Sequence, residues 1–144
     1  MLRERGSTLM ELLTVIAVTG VFAAIAVPSA SRAAAGVSGA LGARRLALVL
    51  REAQAEAQVR GTAVRVSVGA DGEYLVSRDG STVARGDLGA RVTGTYPGGV
   101  IEFTEGGWPR LPGASGPRAG HFSVEGGRQP HAVVVQLSGC VRCP

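Results

Sequence analysis

The sequence contains no lysine: its 15 basic residues are all arginine, set against 11 acidic ones for a net charge of +4. That bias fits a high-GC coding sequence as well as selection for phosphate contacts. A pI near 10 permits an anionic partner without requiring one. Aromatic residues are scarce, at 4%, so Val, Leu and Ala must build the core. The only cysteines are Cys140 and Cys143, at the extreme C-terminus, and the only histidines are His121 and His131, far from them in sequence. This excludes a multi-disulfide framework and leaves no ligand set of the usual zinc spacing. No G-x-S-x-G surrounds Ser138-Gly139, and no glycine-rich loop follows a strand and opens a helix. With no nucleophile, metal or phosphate constellation, the chain is not expected to be an enzyme or to hold a cofactor.

Charge is also missing, except at one position, from Ser7 to Ser31. Ahead of this gap stands the short leader Arg3-Glu4-Arg5-Gly6, and within it lies a single carboxylate, Glu11. The run Ser7 to Val27 is 21 residues, within the roughly 17–25 that span a bilayer as a helix. An acid in that medium costs roughly 2.5–3.5 kcal/mol on insertion scales, so Glu11 needs a partner or a function. Basic flanking residues place the leader in the cytoplasm and the remainder outside. Pro28 is expected to break or kink the helix at the outer edge. An ordinary signal peptide, with cleavage near Ser29-Ala30-Ser31, is the alternative, though no good small-x-small site follows the apolar run.

The helical pattern resumes at Arg32. Val37, Leu41, Leu48 and Ala55 lie near one face, with Leu46, Leu50, Ala53 and Ala57 beside it. Arg44, Arg45, Arg51, Glu52, Glu56 and Arg60 make the polar face, with Glu56–Arg60 as an i,i+4 pair. Gly36, Gly39 and Gly42 predict looseness there, and Gly61 a C-cap. The apolar and amphipathic halves read as one rod, broken or softened between Pro28 and Gly42.

Beyond Gly61 the period becomes two. Val64, Val66 and Val68 alternate with Arg65 and Ser67, and Asp71-Gly72 and Asp79-Gly80 are turns around Tyr74 and Val76. Later strands are predicted at Arg91–Thr93, Val100–Thr104, His121–Val124 and Ala132–Leu137, with Gly106–Gly120 a long irregular loop. The expected fold class is α+β: a long N-terminal helix packed against a C-terminal antiparallel sheet.

The stretch Gly6-Ser7-Thr8-Leu9-Met10-Glu11-Leu12-Leu13 resembles the prepilin cleavage and methylation motif of type IV pilins and type II secretion pseudopilins. There a glycine precedes the cut and a glutamate lies five residues beyond it. Ser7 stands where the family usually has Phe, a departure that bears on N-methylation more than on cleavage. Leu48, Ala53, Glu56-Ala57 and Arg60-Gly61 before Val64 are similar to the helix-to-strand passage of GspH/FimT-like minor pilins. Ile101-x-Phe103, Phe122-x-Val124 and Val133-Val134-Val135 continue that likeness.

The resemblance implies a leader at residues 1–6, a transmembrane and filament-core helix at 7–28, its amphipathic half at 29–61, and a β-rich domain at 62–144. Gly6 and Ser7 would be the processing site for a prepilin peptidase. Glu11, with Thr8 beside it, would serve assembly by pairing with the terminal amine of a neighbouring subunit. Gly20 and Pro28 match places where such helices loosen in the filament, or are ordinary membrane-helix residues. Implied partners are other pilins or pseudopilins and lipids of the cytoplasmic membrane, in which the chain would be a single-pass protein with its C-terminal domain outside.

Many relatives end in Gly-Arg-x-Arg, a motif linked to DNA binding in some FimT-like members; here the series reads Gly139-Cys140-Val141-Arg142. Candidate DNA contacts are Arg142, Arg128 and Arg118, so a DNA-capturing minor pilin is the second reading and a secreted soluble domain the third. Cys140-x-x-Cys143 could be a redox motif, half a zinc site or a local disulfide pinning the last strand; the disulfide is favoured. Trp108, in the long loop, is either an anchor for another subunit or a cover for the sheet.

Overall fold

The computed structural model describes residues 9–126 and 129–143, and of residues 25–35 the backbone only. Its first element, α1, runs without interruption from Leu9 to Arg60, 52 residues, or about 78 Å at ~1.5 Å per residue. The helix passes through both Gly20 and Pro28, so the break expected around Pro28–Gly42 does not occur. It ends where the sequence predicts. Gly61 takes a left-handed φ of 62°, and the Thr62 N–H reaches back to the Ala57 carbonyl at 3.3 Å, closing the last turn.

Two of the three glycines thought to soften α1 have another purpose. A Cβ on Gly39 would lie 2.3 Å from Gly126 Cα, and one on Gly42 would lie 2.9 Å from the Leu88 carbonyl oxygen. Both let the helix touch the loops of the domain directly. Gly36, in contrast, faces open space.

Nine strands follow among the described residues: β1 Val64–Val68, β2 Glu73–Arg78, β3 Ser81–Asp87, β4 Val92–Gly94, β5 Val100–Phe103, β6 Pro109–Arg110, β7 Gly120–Val124, β8 His131–Val135 and β9 Val141–Arg142. They form two antiparallel sheets instead of the single one expected, in the orders β3-β2-β1-β5-β6 and β4-β7-β8-β9. The β2–β3 turn is a two-residue connection with positive φ at both Asp79 (50°) and Gly80 (78°), matching the twist of the strands it joins. Three strands escape the sequence pattern. β3 is exposed on both faces and so carries no apolar alternation. β6 and β9 have two residues each, and β6 falls within the loop expected to be irregular, where it pairs with Glu102 and Phe103.

The helix packs on β1 and β5 of one sheet and on β7, β8 and β9 of the other. Its buried stripe is Ala43, Leu46, Leu50, Ala53 and Ala57, which meet Val64, Val66, Ile101 and Phe103 from the first sheet and Phe122, Val124, Val133 and Val135 from the second. Each large side chain removed from water here contributes about 1.5–3 kcal/mol. Tyr96 stacks on Phe122 with ring centroids 5.2 Å apart. The expected helical face is thus split: Leu46, Leu50, Ala53 and Ala57 are buried, whereas Val37, Leu41, Leu48 and Ala55 face away from the domain.

Candidate assembly surface

The first turns of α1 touch nothing of the domain. Leu9, Met10, Leu12, Leu13, Val15, Ile16, Val18, Val21 and Phe22 are between 49% and 78% exposed, and they lie on every side of the helix. The hydroxyls in this stretch are turned inward. Thr14 Oγ1 donates to the Met10 carbonyl at 2.8 Å and Thr19 Oγ1 to the Val15 carbonyl at 2.7 Å, which conceals their polarity from an apolar surrounding. Burying the nine apolar side chains would be worth on the order of 15–25 kcal/mol. Exposed apolar surface of that extent is the kind that marks a contact with another protein or a membrane.

Glu11 lies in the first described turn, the one charged residue between positions 9 and 24. An acid there is favoured by the helix dipole, whose positive end is at this terminus. Gly6, Ser7 and Thr8 lie outside the described residues. Among the described residues no helix is long and apolar enough to cross a membrane. The stretch expected to do so, 7–28, is described only in part.

Two of the three C-terminal candidates are described, and both belong to the second sheet. Arg142 is exposed on β9 and Arg118 precedes β7, two strands away in the same sheet. Arg118 is held by its backbone, its N–H donating to the Pro109 carbonyl at 2.7 Å and its carbonyl accepting from Tyr96 Oη at 3.2 Å. Arg128 lies outside the described residues. His121 and His131 stand at opposite ends of the β7–β8 ladder, paired with Val134 and Val124 respectively.

The favoured disulfide is not formed: Cys140 and Cys143 are separate thiols, the first exposed and the second packed against the core. Strand geometry explains this. Val141 and Arg142 between them are extended, with Val141 buried and Arg142 exposed. Three residues at ~3.3 Å each separate the Cα atoms by roughly 10 Å, and a bridge needs less than about 7 Å. β9 is instead pinned from the helix, because the Arg51 guanidinium donates to the Val141 carbonyl through Nη2 at 2.8 Å and Nε at 3.3 Å.

Two charge clusters are only partly legible in the sequence. Glu102 is buried, at 7% exposure, and shared between Arg65 (3.0 Å) and Arg110 (2.7 Å). Its alternation with Ile101 and Phe103 places it on the outer face of the sheet, where the arginine stems cover it. Glu56 pairs with Arg60 at 3.3 Å, as its i,i+4 spacing predicts, and also with Arg78 of β2, a partner no local spacing could reveal. Trp108 is 52% exposed on a loop fixed by Gln54 Nε2, which donates to the Gly107 carbonyl at 3.0 Å, and by Thr104 Oγ1, which accepts from the Trp108 N–H at 3.2 Å. The Tyr96 hydroxyl is pushed up to about 12 by burial, an effect that the Arg118 charge only partly offsets.

The packing of the long helix on antiparallel sheets is similar to that of solved structures over 72% of the chain. The type IV minor pilin FimU of Pseudomonas aeruginosa, in two crystal forms, superposes with a TM-score of 0.58 at 16% identity, over 72% of this chain and 90% or 85% of that one. The fold is type IV pilin-like. At that identity the pilin-like likeness is one of architecture alone. No protein-family model matches the chain, and no curated protein matches it.

Proposed function

We propose that this chain is a structural subunit of a pilus-like filament, a minor pilin or pseudopilin of the GspH/FimT-like kind. One observation carries the reading: an apolar, all-round exposed helix, bearing a lone acid in its first turn, continues without a break into a pilin-like domain. Residues 1–6 form a leader removed by a prepilin peptidase after Gly6, and residues 7–28 anchor the chain in the cytoplasmic membrane before becoming part of a filament core. Glu11 docks against the terminal amine of the next subunit. A buried acid is tolerable with an ammonium partner and costly without one. The domain stays outside the cytoplasm, and the machine served is either a type II secretion pseudopilus or a type IV pilus. The chain performs no catalysis in this reading. DNA capture is the alternative reading, with Arg142 on β9 and Arg118 before β7 as its candidate contacts.

Mass spectrometry of the native N-terminus tests the proposal. A mature chain beginning at Ser7 is expected. One beginning after Ala30 would remove the assembly helix and with it the filament reading.

A further inference from the structure

The long loop Gly106–Gly120 carries the chain's only tryptophan, and the fold holds that side chain in place. The Trp108 carbonyl accepts from the Thr104 N–H at 3.0 Å, opposite the bond its own N–H makes to Thr104 Oγ1. Gln54 and Gln58, in the last two turns of α1, donate to the Gly107 and Gly106 carbonyls. A Cβ on Gly106 would lie 2.7 Å from the indole Nε1, so the ring rests directly against backbone. Yet Trp108 is 52% exposed. A ring fixed this firmly and still open to solvent is pre-organised for a ligand. Two clefts adjoin at it. Thr104, Trp108 and Arg110 border both; Glu105 lies on the first, of about 450 Å³, and Ser115 and Pro117 on the second, of about 340 Å³. Both volumes fall in the ~300–1,000 Å³ range of small-molecule sites. The polar groups around them are unspent. The indole N–H, the Ser115 hydroxyl and the Glu105 carboxylate have no hydrogen-bond partner among the described residues. Arg110 gives Nε and Nη2 to Glu102 and keeps Nη1.

We propose that these clefts bind a saccharide chain, the apolar face of one sugar ring stacked on Trp108 and its hydroxyls taken up by the open donors and acceptors. Charge favours a neutral ligand over a nucleic acid. Arg65 and Arg110 stand against Glu102 and Glu105, so no net positive charge is left for a phosphate. Arg118 is bonded through its backbone to Pro109, but its charge acts on the Tyr96 hydroxyl. A hydroxyl-rich chain asks for donors and acceptors together, and both remain: the indole N–H and Arg110 Nη1 donate, Glu105 accepts, and Ser115 does either. Two clefts joined at one ring suit successive sugar units better than a single sugar. Gln54 and Gln58 set the site at the C-terminal end of α1, the end furthest from the apolar turns, where a polymer reaches it without meeting them. The proposal goes beyond the filament reading and does not depend on it.

Because Trp108 is the single tryptophan, its fluorescence reports this site alone. The full chain, in a detergent without a sugar headgroup, is titrated with maltohexaose, cellohexaose and chitohexaose, and separately with oligothymidylate. A saturable change in emission with at least one saccharide is expected. A response to chitohexaose alone assigns the ligand to the N-acetylated chains of a cell wall, and a response to a hexose oligomer assigns it to a neutral polysaccharide; either upholds the site. No saturable change with any saccharide, or a change with oligothymidylate only, overturns it. Trp108→Ala, followed by retention on the same saccharide immobilised, should bind about tenfold more weakly or worse, as when an aromatic anchor is removed. Ser115→Ala alters an exposed side chain with no bond to lose, so it should melt like the parent and bind roughly fivefold more weakly, the effect of one hydrogen bond. Undiminished binding in either variant places the ligand elsewhere and overturns the proposal.

Discussion

Tyr96 is the residue whose chemistry folding alters most. Its hydroxyl donates to the Arg118 carbonyl, and burial lifts its ionisation from 10.0 to about 12. The folded state therefore prefers the neutral phenol. The resulting stability is present in full below pH 10, where the unfolded chain also keeps its proton, and is lost as pH rises through about 12. The loss should be on the order of 2 kcal/mol, because a tenfold change in proton affinity is worth about 1.4 kcal/mol. Denaturant melts between pH 9 and 12 should show this decline in the parent and not in Tyr96→Phe, which gives up about 1 kcal/mol at neutral pH for its lost hydrogen bond. An equal alkaline decline in both proteins would contradict the assignment. None of this was legible in the sequence, where Tyr96 is one of two tyrosines in a turn-rich stretch. Glu102 was equally silent: its place in a strand is readable, but its two arginines arrive from β1 and β6.

Elements were more legible than residues, to the extent that local periodicity set them. β1, β5, β7 and β8 follow from alternating or continuous apolar runs, and the αL glycine at 61 ends α1 where it should. β3 was hidden because pairing with β2, not burial, makes it a strand, and β6 because its two residues, Pro109 and Arg110, are too few to show a period. The helix glycines mark the same boundary. Propensity reads Gly36, Gly39 and Gly42 alike, yet only Gly39 and Gly42 lie against backbone. Gly39→Ala should destabilise the domain by about 1–3 kcal/mol, since the new methyl would sit 2.3 Å from Gly126 Cα and neither backbone can yield. Gly36→Ala meets open space and should stabilise by up to ~1 kcal/mol through helix propensity. Thermal melts of the pair should move in opposite directions. Parallel shifts would mean that the close approach at Gly39 is not formed.

As a whole the molecule is one helix serving two environments. Its last turns complete a domain, and its first are bare on every side. In the proposed filament such a chain is completed by its neighbours, and Glu11 is then a question about assembly and not about folding. Glu11→Ala should leave the melting of the domain and cleavage after Gly6 largely unchanged while lowering filament incorporation. Immunoblots of sheared filaments against whole cells would measure it, and normal incorporation would contradict the docking role.

The long apolar run, its single acid, the change of period at Gly61 and hence the α+β class all follow from primary structure, because each depends on neighbours within a few residues. Contacts between distant segments divide the strands into two sheets and pin β9 between β8 and the Arg51 side chain. They also select which apolar stripe of α1 is buried. Leu46 and Leu48 are equally hydrophobic in sequence. One is core and the other surface because the sheets can cover only one side of a helix, and the choice is made where Gly39 and Gly42 let the backbone approach.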